Sequence, residues 1–517
     1  MPKPPNYKII YNWDGDLFGW DEVPQSTESF LSTVYAPLEG TQVDALFWCV
    51  ATHAARWNSD VVELEGEVLG RKYDSASSYR LAENVCTALE RGEDPNQALI
   101  QRARELGLHV YASIRMNDNH FDGAQLQDLP DLRHPELTQM RRQHPEWLLG
   151  DQTLEWFALS WNFEVPEVRN HRLSYIEEVC RRYDWDGVEL DWMRHPFHLP
   201  QDDAYRLRYT LTDMQRSVRR MADQIAQSRD RPFYVATRVA SSLETCRHVG
   251  FDLPVWIEEG LVDVLIPAGA AMTDPSIDVQ AFRGLCCEAD VVVYPGLDGG
   301  LANPRLSVPE MYRIDDAITR GIVSNYYSAE ADGIYLFNWY ADHQARRELL
   351  TTIGSPETLR KKDRTYAATH RVVVRQGPWR GAYRFDRLLG EVPVRLKPTR
   401  TGDGPTVTIQ VANDVQTDRP DRIELRLRLQ EWVAGDVVRV VWNGDDLLSN
   451  PEIRYIPAAP PSYARVSDAV WQCYLLRPDQ LLSGTQKVKV ILDQRNEKMA
   501  CDMVLTDIEL AIHYGVS

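Results

Sequence analysis

The chain has 517 residues, 44% of them hydrophobic and 26% charged, an ordinary balance for a folded globular protein and enough length for two or three domains with sizeable cores. Its 57 basic and 76 acidic side chains leave a formal net charge of −19, so nucleic acid or an anionic membrane meets an unfavourable mean field, and a neutral ligand suits it better. The opening residues Met1 to Tyr7 lack the apolar core of a signal peptide and no run reaches membrane-spanning length, so the chain is expected to be soluble and cytoplasmic, with no membrane partner.

Eight short apolar runs of strand length recur, at residues 7–11, 43–51, 108–114, 187–193, 233–239, 262–267, 290–294 and 333–339. Segments of helical period separate most of them, at 78–91, 95–106, 166–183, 202–229, 276–288, 308–320 and 343–352. In the third of these, Pro166 suits a first turn, Arg181 and Arg182 a last one, and Leu173, Ile176, Cys180 and Tyr183 fall at helical spacing. Strands alternating with helices predict an α/β fold, a (β/α)8 TIM barrel over residues 1–355. The texture changes at Ser355-Pro356-Glu357 and the charged run Arg360 to Arg364. Beyond it, 406–411, 422–429, 437–442, 487–492 and 504–513 alternate apolar and polar residues at period two, most cleanly in Ile423, Leu425, Leu427 and Leu429 against Glu424, Arg426 and Arg428. Residues 356–517 are therefore expected to form an all-β sandwich that accompanies the barrel.

Active sites of such barrels lie at the C-terminal ends of the strands. Taken in turn, those ends carry Asn12-Trp13-Asp14, Thr52-His53, Arg115-Met116-Asn117-Asp118, Asp191 to His195, Arg238, Tyr294 to Asp298 and Asn338-Trp339-Tyr340. The long connection after the third strand, residues 119–165, adds His120, Asp122, Trp147, Trp156 and Trp161, and connections of that length are more often functional than ornamental. In the fourth strand Val188, Leu190 and Trp192 share one parity, and Glu189, Asp191 and Met193 the other. Two carboxylates on one face of an apolar strand are costly to bury without positive partners. Parity supplies them, because Arg115 groups with Ser113 on the third strand and Arg238 with Ala236 on the fifth. A neighbouring cation lowers a carboxylate pKa and keeps it ionised.

The run Asp186-Gly187-Val188-Glu189-Leu190-Asp191, preceded by Pro166-Glu167-Val168-Arg169 and followed by Met193-Arg194-His195-Pro196, resembles the family 10-like glycosyl hydrolase-related barrel proteins. The likeness is strongest from His144-Pro145-Glu146-Trp147 through Pro196, and Arg115 to His120 also looks like that family. It covers the barrel but not the C-terminal domain, and implies a glycosidase-like barrel acting on carbohydrate. Two better-known families match in part. Family 18 chitinases carry Asp-Gly-x-Asp-x-Asp-x-Glu at this point, which aligns Glu189 and Asp191 with the two later Asp positions but Met193 with the catalytic acid. The α-amylase superfamily has an Arg two residues before its nucleophilic Asp, where this chain has Glu189. Neither mechanism transfers whole.

A glycosidase needs one protonated and one ionised carboxyl group. Asp191, nearest the rim on the inward parity, is the expected ionised group, and Asp298, Asp118 and Glu189, in that order, are the candidates for the acid. Arg115, Asn117, His120, Arg194, His195, Arg238 and Asn338 suit hydrogen bonds to sugar hydroxyls, and Trp339 a stacking floor. This reading, a retaining or inverting glycoside hydrolase on a neutral oligo- or polysaccharide, needs neither cofactor nor metal. Two alternatives stand beside it. One is a divalent-metal enzyme acting on sugars with Asp118, His120, Glu189 and Asp191 as ligands. The other is a barrel that binds glycan without turnover, in keeping with Met193 at the chitinase acid position. The eight cysteines show no CxxC or finger spacing, and reduced thiols are expected.

Overall fold

The computed structural model describes residues 3–13, 22–121, 123–269, 273, 277–298, 316–339, 341, 344–368, 391–412, 415, 417–457, 465–482 and 484–515. Asp14, Asp122 and Tyr340 of the sequence reading lie outside these. Contacts divide the chain into two units, and helix Asp316–Ser328, counted with the barrel in the sequence reading, groups with the second unit together with the residues from Arg387 on.

The first unit is a parallel (β/α)8 barrel. Its strands are Ile9–Trp13, Val43–Ala51, His109–Arg115, Gly187–Asp191, Tyr234–Ala240, Val264–Ala268, a seventh in two pieces, Val292–Val293 and Gly296–Asp298, and Ile334–Phe337. Each of the first six pairs in parallel with its successor, and the first pairs with the eighth. The ring closes through the split seventh strand. Its first piece pairs with the sixth strand and its second with the eighth, and Pro295, which has no N–H to give a ladder, stands at the break.

The barrel interior is filled by side chains of one parity. Tyr7, Tyr111, Tyr234, Tyr294 and Tyr335 crowd its N-terminal half, with Phe47 stacked on Tyr111 at 4.3 Å and the hydroxyls of Tyr7 and Tyr111 3.0 Å apart. Gly187 opens the fourth strand because a Cβ there would stand 2.4 Å from the Tyr111 ring and 2.5 Å from the Tyr234 carbonyl oxygen. The fourth strand thus starts low in a plug of aromatic rings and brings Glu189 and Asp191 to successively higher interior layers.

The second unit is antiparallel. A six-stranded sheet built on Arg422–Gln430, Val466–Leu476 and Met503–His513 faces a four-stranded sheet of Thr406–Val411, Val437–Trp442, Asp445–Asp446 and Gly484–Gln494. Leu425, Leu427 and Leu429 from the first sheet and Val407, Val440, Val488 and Val490 from the second share one buried core, the arrangement of a β-sandwich. All eight cysteines are free, with Cys287 and Cys501 exposed. Among the described residues no helix is long and apolar enough to cross a membrane.

Candidate active site

Strand register sets the site. Arg115, Asp191 and Arg238 stand side by side in the uppermost interior layer, and Ser113, Glu189 and Ala236 in the layer beneath. The fourth-strand carboxylates therefore face the barrel axis beside the arginine-bearing parities of both neighbours.

Asp191 is fully buried and accepts four hydrogen bonds. Its Oδ1 receives the backbone N–H groups of Met193 and Arg194, both at 2.9 Å, so the carboxylate also shapes the turn that leaves the strand. Arg238 Nη1 bridges Oδ1 at 3.1 Å and Oδ2 at 3.0 Å, while its Nη2 donates to the Gly269 carbonyl at 2.7 Å. Arg115 turns elsewhere, donating from Nη1 to Asp118 Oδ2 at 2.8 Å. Of the two arginines expected to flank the pair, Arg238 bonds Asp191 and Arg115 bonds Asp118.

Glu189 lies one layer down, sealed from solvent. Asn12 donates to its Oε2 at 2.8 Å, and its Oε1 is 2.7 Å from the Tyr335 hydroxyl. Burial, with the Asp191 charge adding, pushes its pKa up to about 7. Glu189 thus carries a proton across much of the neutral range, but beneath the mouth rather than in it.

Asp118 heads a second cluster. Its Oδ1 stands 2.5 Å from His120 Nδ1 and 3.2 Å from His195 Nδ1. Burial alone would raise its pKa, yet His120 and Arg115 hold it well below the usual carboxylate range. These neighbours favour the ionised form of Asp118. His120 Nε2 accepts from Arg194 Nη2 at 2.8 Å, which makes a chain from Arg115 through Asp118 and His120 to Arg194. His195 is buried, and its Nδ1 accepts the Asn119 N–H at 2.6 Å. Burial pushes its pKa down to about 3, so the ring is neutral.

Among the described residues, Asp118, His120 and His195 are the set of side chains near enough to share a metal ion. Two guanidiniums, of Arg115 and Arg194, sit 2.8 Å from atoms of Asp118 and His120, and that fixed positive charge suits an ion-pair network better than a bound cation. The expected ligand set is also not brought together, because Glu189 and Asp191 are engaged by Tyr335, Asn12 and Arg238.

Asp298 ends the seventh strand opposite Phe337 and is 7% exposed. Its charge adds to those of Asp191, Tyr335 and Glu189 in raising the Arg238 pKa. The ring of Phe337 lies under three guanidiniums: Arg238 at 4.1 Å, Arg194 at 5.6 Å and Arg115 at 5.7 Å from its centroid. Asn338 follows in the left-handed region, at φ 48°, where Asn is better tolerated than most residues.

Two expected binding residues are structural. Trp339 is fully buried, its indole N–H bonded to the Arg346 carbonyl at 3.0 Å, so it packs the barrel end instead of offering a sugar platform. Asn117 is fully buried as well. Its Nδ2 donates to the carbonyls of Trp161 and Phe197 and its Oδ1 accepts the Trp161 N–H, which ties the long third connection to the strand end.

Four further residues support the cluster: His53, which the sequence placed at the end of the second strand, and Arg141, Arg172 and Glu136, which it did not single out. His53 Nε2 bonds the Asp118 carbonyl, and burial holds the ring neutral. Arg141 lies between the rings of Phe121 and Trp161, at 4.8 and 4.5 Å. Arg172 donates to the carbonyls of Thr52 and Arg115 at the ends of the second and third strands. Glu136, 3.9 Å from Arg56, is pushed up to about 8 by burial, with the charges of Asp118 and Glu65 adding. One signal was legible for Arg172, which falls on the buried stripe of helix Pro166–Arg182 with Val168, Tyr175, Ile176 and Val179.

Carbohydrate enzymes are among the known proteins to which the chain is similar. A glycosyl hydrolase of Bacillus subtilis (strain 168), YngK, is 29% identical over 113 residues, which is 21% of this chain and 19% of that protein. Among solved structures, an Anoxybacillus alpha-amylase is 11% identical, covering 95% of this chain and 99% of its own, with a TM-score of 0.36. A family GH18 chitinase from Chromobacterium violaceum is 11% identical, covering 98% and 89%, with a TM-score of 0.34. These two likenesses are too remote to place a catalytic residue. The stretch from the second-strand connection through the fourth strand and into the following helix, residues 59–226, matches the family model glycosyl hydrolase-like 10.

Proposed function

We propose that the barrel is a glycoside hydrolase that cleaves O-glycosidic bonds of a neutral oligo- or polysaccharide with two carboxyl groups, Asp191 as the carboxylate and Asp298 as the acid. One observation carries the reading: Asp191 ends the fourth strand and Asp298 the seventh, so two buried carboxyl groups come from C-terminal strand ends of the barrel, with Arg238 on both Asp191 oxygens. The family match over residues 59–226 supports the reaction class. In such a reaction the acid protonates the leaving glycosidic oxygen, while the carboxylate attacks or stabilises the positive charge that develops at the anomeric carbon. Arg194, held by His120, and Asn338 are placed to meet sugar hydroxyls.

The test compares Asp298→Asn and Asp191→Asn on two kinds of substrate: a panel of neutral polysaccharides assayed for new reducing ends, and dinitrophenyl glycosides, whose leaving group needs no proton. Asp298→Asn is expected to lose the polysaccharide activity and keep much of the activity on the aryl glycoside. Asp191→Asn loses both. Undiminished polysaccharide hydrolysis by either variant, with its fold intact by circular dichroism, ends the proposal.

One observation favours a second reading, a barrel that binds glycan without turnover. Both Asp191 oxygens are already occupied, by two backbone N–H groups and Arg238. Binding of oligosaccharide with no product across the panel selects it.

A further inference from the structure

The six-stranded sheet of the second unit has one face in the sandwich core and another that turns away from it. Leu425 and Leu427 point into the core, so Glu424, Arg426 and Arg428 take the opposite face. The register places Trp471 on that same face, between Arg428 on one neighbouring strand and Arg454 on the other. A cavity of about 320 Å³ opens there, and Thr365, Arg426, Arg454, Trp471 and Glu509 are among its lining residues. Its volume falls in the range of small-molecule sites.

The charged groups are held in place. Arg454 donates to both Glu424 oxygens, each at 2.9 Å, and Arg426 Nε donates to Glu424 Oε1 at 2.5 Å, so neither guanidinium has to be ordered by a ligand. Arg422 also reaches Glu424. Four cations, Arg422, Arg426, Arg428 and Arg454, thus stand against four acids, Glu424, Glu452, Asp507 and Glu509. The balance gives no reason to select an anion or a cation. A half-buried indole beside fixed donors and fixed acceptors matches a ligand with a flat apolar face and hydroxyls that both donate and accept.

We infer that this outer sheet face is a saccharide-binding site, with Trp471 as the platform and Arg426, Arg454 and Glu509 as its hydrogen-bonding rim. The ligand class follows from the cavity's own chemistry, so the inference stands whether or not the barrel hydrolyses glycans. Trp442, by contrast, belongs to the core, with its indole N–H bonded to the Gln480 carbonyl at 2.8 Å.

Affinity electrophoresis of the full chain tests it, in native gels cast with xylan, mixed-linkage β-glucan, galactomannan, pullulan or glycol chitin. The wild type is expected to be retarded in at least one gel, and Trp471→Ala to lose that retardation at least about fivefold in apparent affinity, while any hydrolysis of short soluble substrates is unchanged. Arg454→Ala, on the edge strand, gives an independent reading if Trp471→Ala fails to fold. Its weaker retardation supports the site, and unchanged retardation overturns it. No retardation of the wild type in any gel, or equal retardation of wild type and a folded Trp471→Ala, also overturns the inference. Loss of barrel turnover in Asp298→Asn with retardation preserved separates the two sites.

Discussion

The two ends of the barrel use aspartate in opposite ways. At the N-terminal end, Asp44, Asp186, Asp263 and Asp332 each accept a backbone N–H from the preceding strand's start: Lys8 at 2.6 Å, Val110 at 2.8 Å, Val235 at 2.7 Å and Val293 at 2.8 Å. The acid at the start of each even strand thus clamps its odd-numbered neighbour. Three of the four are also held from outside by arginines, Asp186 by Arg104 and Arg231, Asp263 by Arg219 and Asp332 by Arg283. At the C-terminal end, Asp118 and Asp191 accept from arginines of the barrel interior, Arg115 and Arg238. The same residue type closes the ladder at one end and gathers charge at the other, as the division between a stabilising bottom and a reactive top requires.

The strongest way to break the comparison is to exchange carboxylates for amides at each end. Asp298→Asn and Asp191→Asn are expected to lower polysaccharide turnover by about 10²–10⁴-fold or more, read as kcat on whichever substrate the panel identifies. Asp186→Asn should do the reverse. It weakens bonds to a backbone N–H and two guanidiniums and should cost about 2–4 kcal/mol in urea unfolding, while turnover per folded molecule stays within twofold. A large loss of kcat in folded Asp186→Asn would erase the distinction between the two ends.

The layered top of the barrel was legible in the sequence because a strand has period two. The parity of Ser113 with Arg115, Glu189 with Asp191 and Ala236 with Arg238 is what the register shows. What parity does not encode is which partner an arginine chooses. Arg115 goes to Asp118, three residues on, because the chain turns back just past the strand end. The seventh strand was read as ending at Tyr294, yet it resumes at Gly296 beyond Pro295 and carries Asp298 to the rim. Strand Val466–Leu476 was not read at all, since Ala469, Val470, Cys473, Tyr474 and Leu476 are buried on both parities and blur the alternation. Arg141 and Glu136 come from the long third connection, and the meeting of Arg141 with His53 at the end of the second strand depends on long-range packing that leaves no local period.

Proton binding separates the interior layers on a smaller scale. Glu189, pushed up to about 7, and Glu136, pushed up to about 8, hold protons in the folded state that ordinary glutamates of an unfolded chain release near pH 4.5. Stability from these two groups is fully present below that value and is lost as pH rises through 7 to 8. Unfolding in urea at pH 5.5 and 8 measures the slope. Glu189→Gln, which keeps an oxygen for Asn12, is expected to reduce the difference between the two pH values by about 1–2 kcal/mol. An unchanged slope would mean that Glu189 is ionised in the fold despite its burial.

The smallest effect is expected from metal, and the reason lies in the cluster that most resembles a metal site. Asp118, His120 and His195 offer one carboxylate and two imidazoles, a donor set that divalent transition metals favour. A cation there would sit against Arg115, which is bonded to Asp118 Oδ2, and would have to displace Arg194 from His120 or the Asn119 N–H from His195 to gain geometry. Each guanidinium already supplies the positive charge that this ionised carboxylate needs, in a buried setting where a further cation is repelled more strongly than in water. Chelation with EDTA, or addition of Zn²⁺ or Mn²⁺ at stoichiometric concentration, is therefore expected to change melting temperature by less than about 1 °C and activity by less than about twofold, because nothing binds the native state selectively. A stabilisation of several degrees by one of these ions, abolished in His120→Ala, would show instead that the arginines give way, and would turn the top of the barrel from an ion-pair network into a metal centre.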